Sequence, residues 1–375
     1  MRILIRGLAG RVLLLIGGLF GVLLLLEAVL STLPVQDGPN AELRSDDPAV
    51  WFEPDRRFTW SKGWRMERVN ELRTNNLGWV SSVDYDPDAI GPLLVVIGDS
   101  YVEALMIAEE ETLTAQLRRT LAPSWRVYSL AASGAALSQY LAFAELAQQR
   151  FRAEALVIVI VGNDFDESLR SVKWQPGFHH FSLGEHGGLA LERRPLADAG
   201  MRTSLRRSAL VNYLFRNLEI RAVSRRLRAL RGEDAGYRGN TRADADPARV
   251  EASRLVIRRF LDELPPRAGL DRRRIVLLVD ALRQAIYAPD RAAEAEASYF
   301  GIMRRELIRA ARAVGHPVVD LQPLFRAHYQ RHERRFEFPN DGHWNSMAHE
   351  LAAVAARGAL PLGSVNRWPI EASLP

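Results

Sequence analysis

The sequence contains no cysteine, which excludes disulfides, thiolate nucleophiles, Cys-ligated zinc and iron–sulfur clusters. Lysine is also scarce: it occurs only as Lys62 and Lys173, so nearly all of the 50 basic residues are arginines. The formal net charge of +5 is a modest excess in a chain of 375 residues and does not indicate nucleic-acid binding. Any catalysis must therefore use serine, histidine, carboxylates or a metal ion.

One long apolar run lies near the N-terminus. Three arginines within the first eleven residues precede an unbroken apolar stretch from Val12 to Leu26, which continues past Glu27 to Leu33. This length approaches the roughly 20 residues that span a bilayer, and the basic flank predicts a cytoplasmic N-terminus with the remaining chain outside the cytoplasm. A cleaved signal peptide and a buried soluble helix are the alternatives, although no A-x-A cleavage site follows the run.

Composition divides the chain into four parts. We expect a cytoplasmic tip and transmembrane anchor over residues 1–33, a tether and N-terminal extension over 34–90, a main domain over 91–360 and a C-terminal tail over 361–375. Residues 170–250 exceed a normal connection between elements, and we expect them to form an insertion that acts as a lid or specificity region.

Short apolar strands alternate with helical segments from residue 93 onward. This pattern is typical of a parallel sheet covered by helices on both faces, and it predicts a doubly wound α/β domain. The strands are predicted at 93–97, 126–130, 155–161, 275–279 and 317–321. The helices are predicted at 111–121, 138–150, 292–313 and 345–358. In such a sheet, functional sites form at the carboxyl ends of the strands.

Small and polar residues follow the predicted strands. The groups are Gly98-Asp99-Ser100, Ser133-Gly134, Gly162-Asn163-Asp164 and Asp341-Gly342-His343-Trp344. Because the carboxyl ends of parallel strands converge at one edge, a hydroxyl, backbone amides, a carboxamide, an imidazole and a carboxylate can share one site. Acyl transfer requires this inventory, since a serine hydroxyl needs a nearby base and the developing oxyanion needs preorganised donors.

The order and the residues of these motifs resemble those of the SGNH (GDSL-like) hydrolase superfamily, and the resemblance extends over residues 93–357. This superfamily is a flavodoxin-like group of esterases, lipases and acyltransferases. The resemblance implies a three-layer sandwich around a parallel sheet of about five strands. It also implies that Ser100 is the nucleophile and His343 the general base. The Ser100 amide, Gly134 and Asn163 would form the oxyanion hole. The resemblance implies no cofactor and no metal.

The carboxylate partner of His343 departs from the commonest pattern of this superfamily. That pattern has Asp three residues before the histidine, where this chain has Asn340, and the nearest carboxylate is Asp341, two residues before. The Asp-x-His-Trp form resembles that of envelope polysaccharide O-acetyltransferases and esterases. We expect Asp341 to hold the imidazole in its productive tautomer. A dyad completed by a backbone carbonyl is the alternative.

Other polar residues have structural explanations. Asp164, Asp166 and Glu167 could bind a metal, but a solvated helix start is the simpler interpretation. His328 and His332 have a spacing that permits metal ligation, yet no third ligand is evident, and a solvent-exposed helix face explains them. The Arg-rich helical pattern at 202–231 fits a lid, a helix docked on the core, or a contact with anionic lipid or polysaccharide.

These features together predict a membrane-anchored serine esterase whose catalytic domain lies in the periplasm or otherwise outside the cytoplasm. The expected substrate is an acylated envelope carbohydrate or a small ester, cleaved through an acyl-enzyme. One alternative is an O-acetyltransferase that acylates an extracytoplasmic polysaccharide, with a membrane acyl-donor protein as its partner. The other is a noncatalytic glycan-binding or assembly factor on the same fold. No nucleic-acid partner is expected.

Overall fold

The computed structural model describes residues 2–39, 41–42, 51–184, 188–196, 207–218, 237–238 and 240–361. The predicted C-terminal tail after residue 361, and the Arg-rich segment apart from 207–218, lie outside the described residues.

The described residues form the following α-helices and β-strands, each numbered in chain order. The helices are α1 (Arg2–Leu30), α2 (Ser100–Glu103), α3 (Leu113–Leu121), α4 (Leu137–Phe151), α5 (Ala209–Asn212), α6 (Pro247–Ala268), α7 (Gln284–Tyr287), α8 (Ala292–Ala297), α9 (Tyr299–Ala313), α10 (Leu321–His332) and α11 (Ser346–Ala359). The strands are β1 (Ala41–Glu42), β2 (Trp51–Phe52), β3 (Arg57–Lys62), β4 (Arg68–Arg73), β5 (Leu93–Gly98), β6 (Arg126–Ala131), β7 (Ala155–Ile160), β8 (His179–Leu183), β9 (Leu189–Arg193), β10 (Tyr237–Arg238), β11 (Thr241–Arg242), β12 (Ile275–Val279), β13 (Val318–Asp320), β14 (Glu337–Phe338) and β15 (Asp341–Trp344).

A five-stranded parallel sheet with the order β13-β12-β7-β5-β6 forms the centre of the molecule. Counted along the chain, this order is 5-4-3-1-2, which is the flavodoxin-like arrangement. The predicted α/β fold class is therefore confirmed. Every residue of β5, β7 and β12 is buried, which explains why these strands are continuously apolar in the sequence.

Helices cover both faces of the sheet. Residues Leu93, Val95 and Ile97 of β5 pack into a core with α4, α6 and α9. The alternate residues Leu94 and Val96 pack into a second core with α3, α10 and α11. This division follows from the alternation of side chains along a strand, and it produces the expected three layers.

The predicted helices at 111–121 and 345–358 differ from the structure by one or two residues at their ends, and the other two differ for reasons that the structure shows. The helix expected at 292–313 is split, because Ser298 leaves the helical conformation and its hydroxyl caps α9 by accepting a hydrogen bond from the Gly301 N–H. The helix expected from Ser138 begins one residue earlier, and the Ser138 hydroxyl instead donates to the carbonyl of His179.

The N-terminal part contains one long helix and one hairpin. Residues Leu13–Leu30 of α1 are long and apolar enough to cross a membrane. Strands β3 and β4 form an antiparallel hairpin. Phe58, Trp60 and Leu72 of this hairpin pack against residues 104–107, the loop that follows α2.

Candidate active site

Three side chains form a hydrogen-bonded line at the edge of the sheet. The Ser100 hydroxyl lies 2.8 Å from His343 Nε2, and His343 Nδ1 lies 2.5 Å from Asp341 Oδ1. A neutral imidazole that donates from Nδ1 to Asp341 leaves Nε2 free to accept the serine proton. Ser100 and the His343 ring are both partly exposed, so a substrate can reach them.

The position of Ser100 follows from the turn between β5 and α2. Strand β5 lies between β6 and β7, at the point where the strand order reverses. Asp99 caps the short helix by accepting a hydrogen bond from the Tyr101 N–H at 2.8 Å. A Cβ at Gly98 would lie 2.3 Å from a methyl carbon of Val102, so the tight turn requires glycine here.

Strand β15 carries Asp341 and His343 and is fixed to α2, the short helix that begins at Ser100. The Tyr101 hydroxyl donates to the Gly342 carbonyl at 2.9 Å, and Arg283 donates to that hydroxyl at 2.9 Å. The indole of Trp344 donates to Asp280 Oδ1 at 2.8 Å. These contacts hold the strand that bears the His343 imidazole against the turn that bears Ser100.

Asp341 is the carboxylate that meets the imidazole. Burial alone would raise its pKa, but hydrogen bonds from the His343 ring and backbone N–H, together with the charge of His343, lower the pKa of Asp341 to about 2. Asn340, which occupies the position of the commoner pattern, is exposed. The carboxylate two residues before the histidine is therefore in contact with it.

Asp99 is buried immediately beside Ser100. Burial raises its pKa to about 6, although the hydrogen bond from Tyr101 and the charge of His343 act in the opposite direction. Its Oδ2 lies 3.3 Å from the Ser100 hydroxyl, compared with 2.8 Å between that hydroxyl and His343. The shorter contact favours His343 as the acceptor of the serine proton.

The two loops expected to supply oxyanion donors are joined by one ion pair. Lys173 Nζ donates to the Gly134 carbonyl at 2.9 Å and lies 2.5 Å from Glu167 Oε2. The same Glu167 oxygen accepts a hydrogen bond from Asn163 Nδ2 at 3.1 Å. Gly134 has a φ of +88°, a conformation that L side chains rarely adopt.

The carboxamide of Asn163 is oriented by contacts on both sides. Glu167 accepts from its amide nitrogen, and Asn240 Nδ2 donates to its oxygen at 3.0 Å. An amide nitrogen carries two hydrogens, so one N–H of Asn163 remains available to another acceptor. Lys173 and Asn240 lie near opposite ends of the 170–250 insertion. One end of the insertion therefore contacts Glu167, which holds Asn163, and the other end contacts Asn163 itself.

Glu103 is a neighbour of the site that the sequence analysis did not identify. It is buried on α2, one turn after Ser100, and its Oε2 accepts hydrogen bonds from the Ser133 N–H at 2.9 Å and from the Ser133 hydroxyl. Burial raises the pKa of Glu103 to about 7, although the bonds from Ser133 lower it. Its i,i+3 spacing from the motif serine was the available signal, but nothing in the sequence shows that this face is buried.

Asp164 and Asp166 are buried and Glu167 is half-buried, so the expected solvated helix start is wrong. Asp164 accepts from the Tyr140 hydroxyl at 2.9 Å and from the Val161 N–H at 2.8 Å. Asp166 forms an ion pair with Arg249 at 2.8 Å. These carboxylates therefore brace the loop through protein partners.

Among the described residues, no group of three or more histidines and carboxylates could hold a metal ion. His328 and His332 lie on one side of α10 with ring centroids 4.4 Å apart.

No protein-family profile and no curated protein matches this chain. Several solved structures are similar to it. An α/β hydrolase from the metagenome of Lake Arreo, Spain, is 16% identical, with 75% of this chain and 99% of that chain covered and a TM-score of 0.42. A member of the lipolytic G-D-S-L family from Veillonella parvula is 9% identical, with 72% and 97% covered and a TM-score of 0.37. An acetyl xylan esterase from Geobacillus stearothermophilus is 13% identical, with 75% and 100% covered and a TM-score of 0.38.

Proposed function

We propose that this protein is an SGNH-type serine esterase that cleaves its substrate through an acyl-enzyme. The observation that carries the proposal is the hydrogen-bonded line from Ser100 through His343 to Asp341. The three residues are brought together from opposite ends of the domain, and their order matches what nucleophilic acyl transfer needs.

In the proposed first step, the Ser100 oxygen forms a bond to the ester carbonyl carbon while its proton passes to His343 Nε2. Asp341 stabilises the resulting imidazolium and keeps Nδ1 protonated. Collapse of the tetrahedral intermediate breaks the bond to the alcohol, which leaves with the proton from His343. Water then loses a proton to His343 and attacks the acyl-serine. Collapse of this second intermediate releases the acid, and His343 returns the proton to the Ser100 oxygen, which regenerates the free hydroxyl.

Three donors are proposed to stabilise the oxyanion: the backbone amides of Ser100 and Gly134 and the second N–H of Asn163. Each would act where negative charge develops, and the loss of one such donor typically reduces the rate by about 10²–10³. The contacts of Asn163 with Glu167 and Asn240 support this role, because they fix the amide in one orientation before substrate binds.

We further propose an extracytoplasmic location and an acylated envelope carbohydrate as substrate. The apolar span in α1 and the basic N-terminal flank support a single-pass anchor with its N-terminus in the cytoplasm and the catalytic domain in the periplasm. The resemblance of the Asp-x-His-Trp motif to that of envelope polysaccharide O-acetyltransferases and esterases supports the substrate class.

The deciding experiment measures release of p-nitrophenol from p-nitrophenyl acetate by the full chain in detergent micelles. Ser100→Ala and His343→Ala should each lower kcat by about 10³-fold or more, and the double variant should lose little beyond either single one. Ser82→Ala, an exposed serine outside the site, is the matched control. Equal turnover in all variants would refute the proposal.

Two additions to this experiment separate the alternatives. A fluorophosphonate probe should label the wild type at Ser100 and leave Ser100→Ala unlabelled, whereas a noncatalytic glycan-binding factor would not be labelled at all. With an oligosaccharide acceptor present, free acetate would indicate hydrolysis. Acylated sugar would show that a sugar hydroxyl replaces water in the second step and that the enzyme is an O-acetyltransferase.

A further inference from the structure

The apolar helix α1 contains one acidic residue, Glu27. Both oxygens of its carboxylate accept hydrogen bonds from a segment that is distant in the sequence. Glu27 Oε2 accepts hydrogen bonds from the Ser208 hydroxyl at 2.7 Å and from the Leu210 N–H at 2.9 Å. Glu27 Oε1 accepts from the Ala209 N–H at 2.8 Å. An ionisable side chain inside a span is costly, and here its cost is offset because it caps the N-terminus of α5.

This contact fixes the position of α5 along the axis of the apolar span. Glu27 lies three residues before the end of the apolar window at Leu30, which is about 4.5 Å along a helix axis. The first turn of α5 therefore lies at the depth where the span ends. Helix α5 continues as a π-helical turn over Tyr213–Asn217.

The same segment is also tied to the folded domain. Asn217 Oδ1 accepts from the Gln36 N–H at 3.1 Å, and Asn217 Nδ2 donates to the Ser61 hydroxyl at 2.7 Å. The Tyr213 hydroxyl donates to the Trp64 carbonyl, at the tip of the β3–β4 hairpin, at 2.8 Å. The segment thus connects the anchor, the tether and the hairpin.

Between Asn212 and Asn217 this segment buries two polar side chains and exposes an aromatic one. Asn212 and Asn217 are buried at 5% and 4% exposure, whereas Phe215 is 49% exposed. Two further large apolar side chains are exposed on the segments that this one contacts, with Leu33 at 46% and Trp64 at 58%. A helix that faced water would bury its apolar side and expose its polar side.

We infer that residues 207–218, together with Leu33 and Trp64, form a platform that lies in the boundary between headgroups and acyl chains of the bilayer crossed by α1. The inference rests on the proposed anchor. Lipid is the occupant that the arrangement favours, because the platform is continuous with the end of the span and carries a tryptophan with the Arg65 guanidinium 4.5 Å from its ring. The catalytic domain is then held close to the membrane by a second contact besides its anchor.

The absence of cysteine makes this inference directly testable, because one introduced cysteine can be labelled alone. The full chain is reconstituted into phospholipid vesicles with an NBD fluorophore at Phe215→Cys, Leu19→Cys or Ile90→Cys. Leu19 lies in the span and Ile90 is 98% exposed on the domain, so they serve as the lipid and water references. Fluorescence is then quenched separately by doxyl-labelled phospholipid and by aqueous iodide.

The label at position 215 should be quenched by doxyl lipid at least severalfold more than the label at 90, and it should be protected from iodide. Glu27→Ala should reduce the lipid quenching at 215 without changing that at 19. Lipid quenching at 19 combined with iodide access at 215 would overturn the inference and leave the anchor intact. Absence of lipid quenching at 19 would overturn the anchor itself. Protection of 215 from both quenchers would indicate a second protein copy and also overturn the inference.

Discussion

A two-residue spacing allows Asp341 to hold both the backbone and the ring of His343. The same oxygen, Oδ1, accepts from the His343 N–H at 3.1 Å and from the ring Nδ1 at 2.5 Å. An aspartate commonly bonds the backbone N–H two residues later in a tight turn, and here that turn also aims the imidazole. A carboxylate at position 341 instead of 340 therefore still contacts the His343 ring.

Asp341→Asn should lower kcat/KM by about 10³–10⁴ without loss of the fold, because an amide can donate to Nδ1 and stabilise the wrong tautomer. Asp290→Asn, at an exposed aspartate, is the control. The measurement is turnover of p-nitrophenyl acetate by each full-length variant, with near-ultraviolet circular dichroism as the check on folding. If the activity of Asp341→Asn stayed within twofold of wild type, the His343 imidazole would depend on a partner other than Asp341.

The buried carboxyl of Glu103 should make stability depend on pH. Its folded pKa of about 7 lies above the ordinary value of 4.5, so the folded state favours the protonated form. This contribution to stability is fully present below pH 4.5 and is lost as pH rises through 7. Relative to Glu103→Gln, the wild type should lose up to about 3 kcal/mol of unfolding free energy over this interval.

Urea unfolding followed by tryptophan fluorescence between pH 4 and 8 measures this difference. Glu110→Gln, at an exposed glutamate near α3, should retain the pH dependence of the wild type. Parallel profiles for the wild type and Glu103→Gln would show that the carboxyl is not protonated in the folded protein.

At the scale of elements, the insertion supports the proposed oxyanion hole. Lys173 follows the loop that carries Asn163, and it joins that loop to Gly134 through Glu167. Its ion pair is only partly exposed, which makes it less screened than a surface pair. Replacement of Lys173 should therefore displace both the Gly134 amide and the Asn163 carboxamide from their positions in the proposed oxyanion hole.

Lys173→Met should lower kcat by about tenfold or more with little change in KM, because the donors act mainly on the transition state. Arg170→Met is the matched control, since Arg170 pairs with Glu192 on an exposed surface and such pairs contribute little. Steady-state kinetics on a soluble ester separates kcat from KM. A rise in KM alone would place Lys173 in substrate binding instead.

The central strands could be predicted because burial on both faces leaves an almost continuous apolar run, as in β5 and β7. Helix α6 was not predicted. Pro265 and Pro266 indicate a break in the sequence, whereas in the structure they occupy the last turn before the Gly269 cap. The contacts of Glu103, Lys173 and Asn240 could not be predicted, because they depend on side-chain directions set by packing between distant segments.

At the scale of the whole molecule, the N-terminal hairpin connects the two halves of the site. Asn70 Nδ2 donates to the Leu105 carbonyl at 3.1 Å, in the loop after α2. The Arg68 guanidinium lies 3.5 Å from the ring centroid of Phe338, in the hairpin that carries the histidine. The predicted boundary near residue 91 therefore separates segments that pack closely together.

Leu72→Ala should lower the free energy of unfolding by about 2–5 kcal/mol, because Leu72 is buried against the loop at 104–107 and its truncation leaves a cavity. Val69→Ala on the opposite face of β4 should change it by less than about 0.5 kcal/mol, since Val69 is exposed. Chemical denaturation of the full chain tests both. Equal effects would show that the hairpin does not support the domain.

The sequence separation of 243 positions between Ser100 and His343 has a consequence for biogenesis. In the proposed topology the N-terminus stays in the cytoplasm and the chain crosses the membrane from the end of α1 onward, so Ser100 would cross long before His343. During that interval the Ser100 hydroxyl would lack its proposed proton acceptor, so an incomplete chain would not consume esters near the export site. Hydrolytic competence would arise only when the last strand and helix have been delivered.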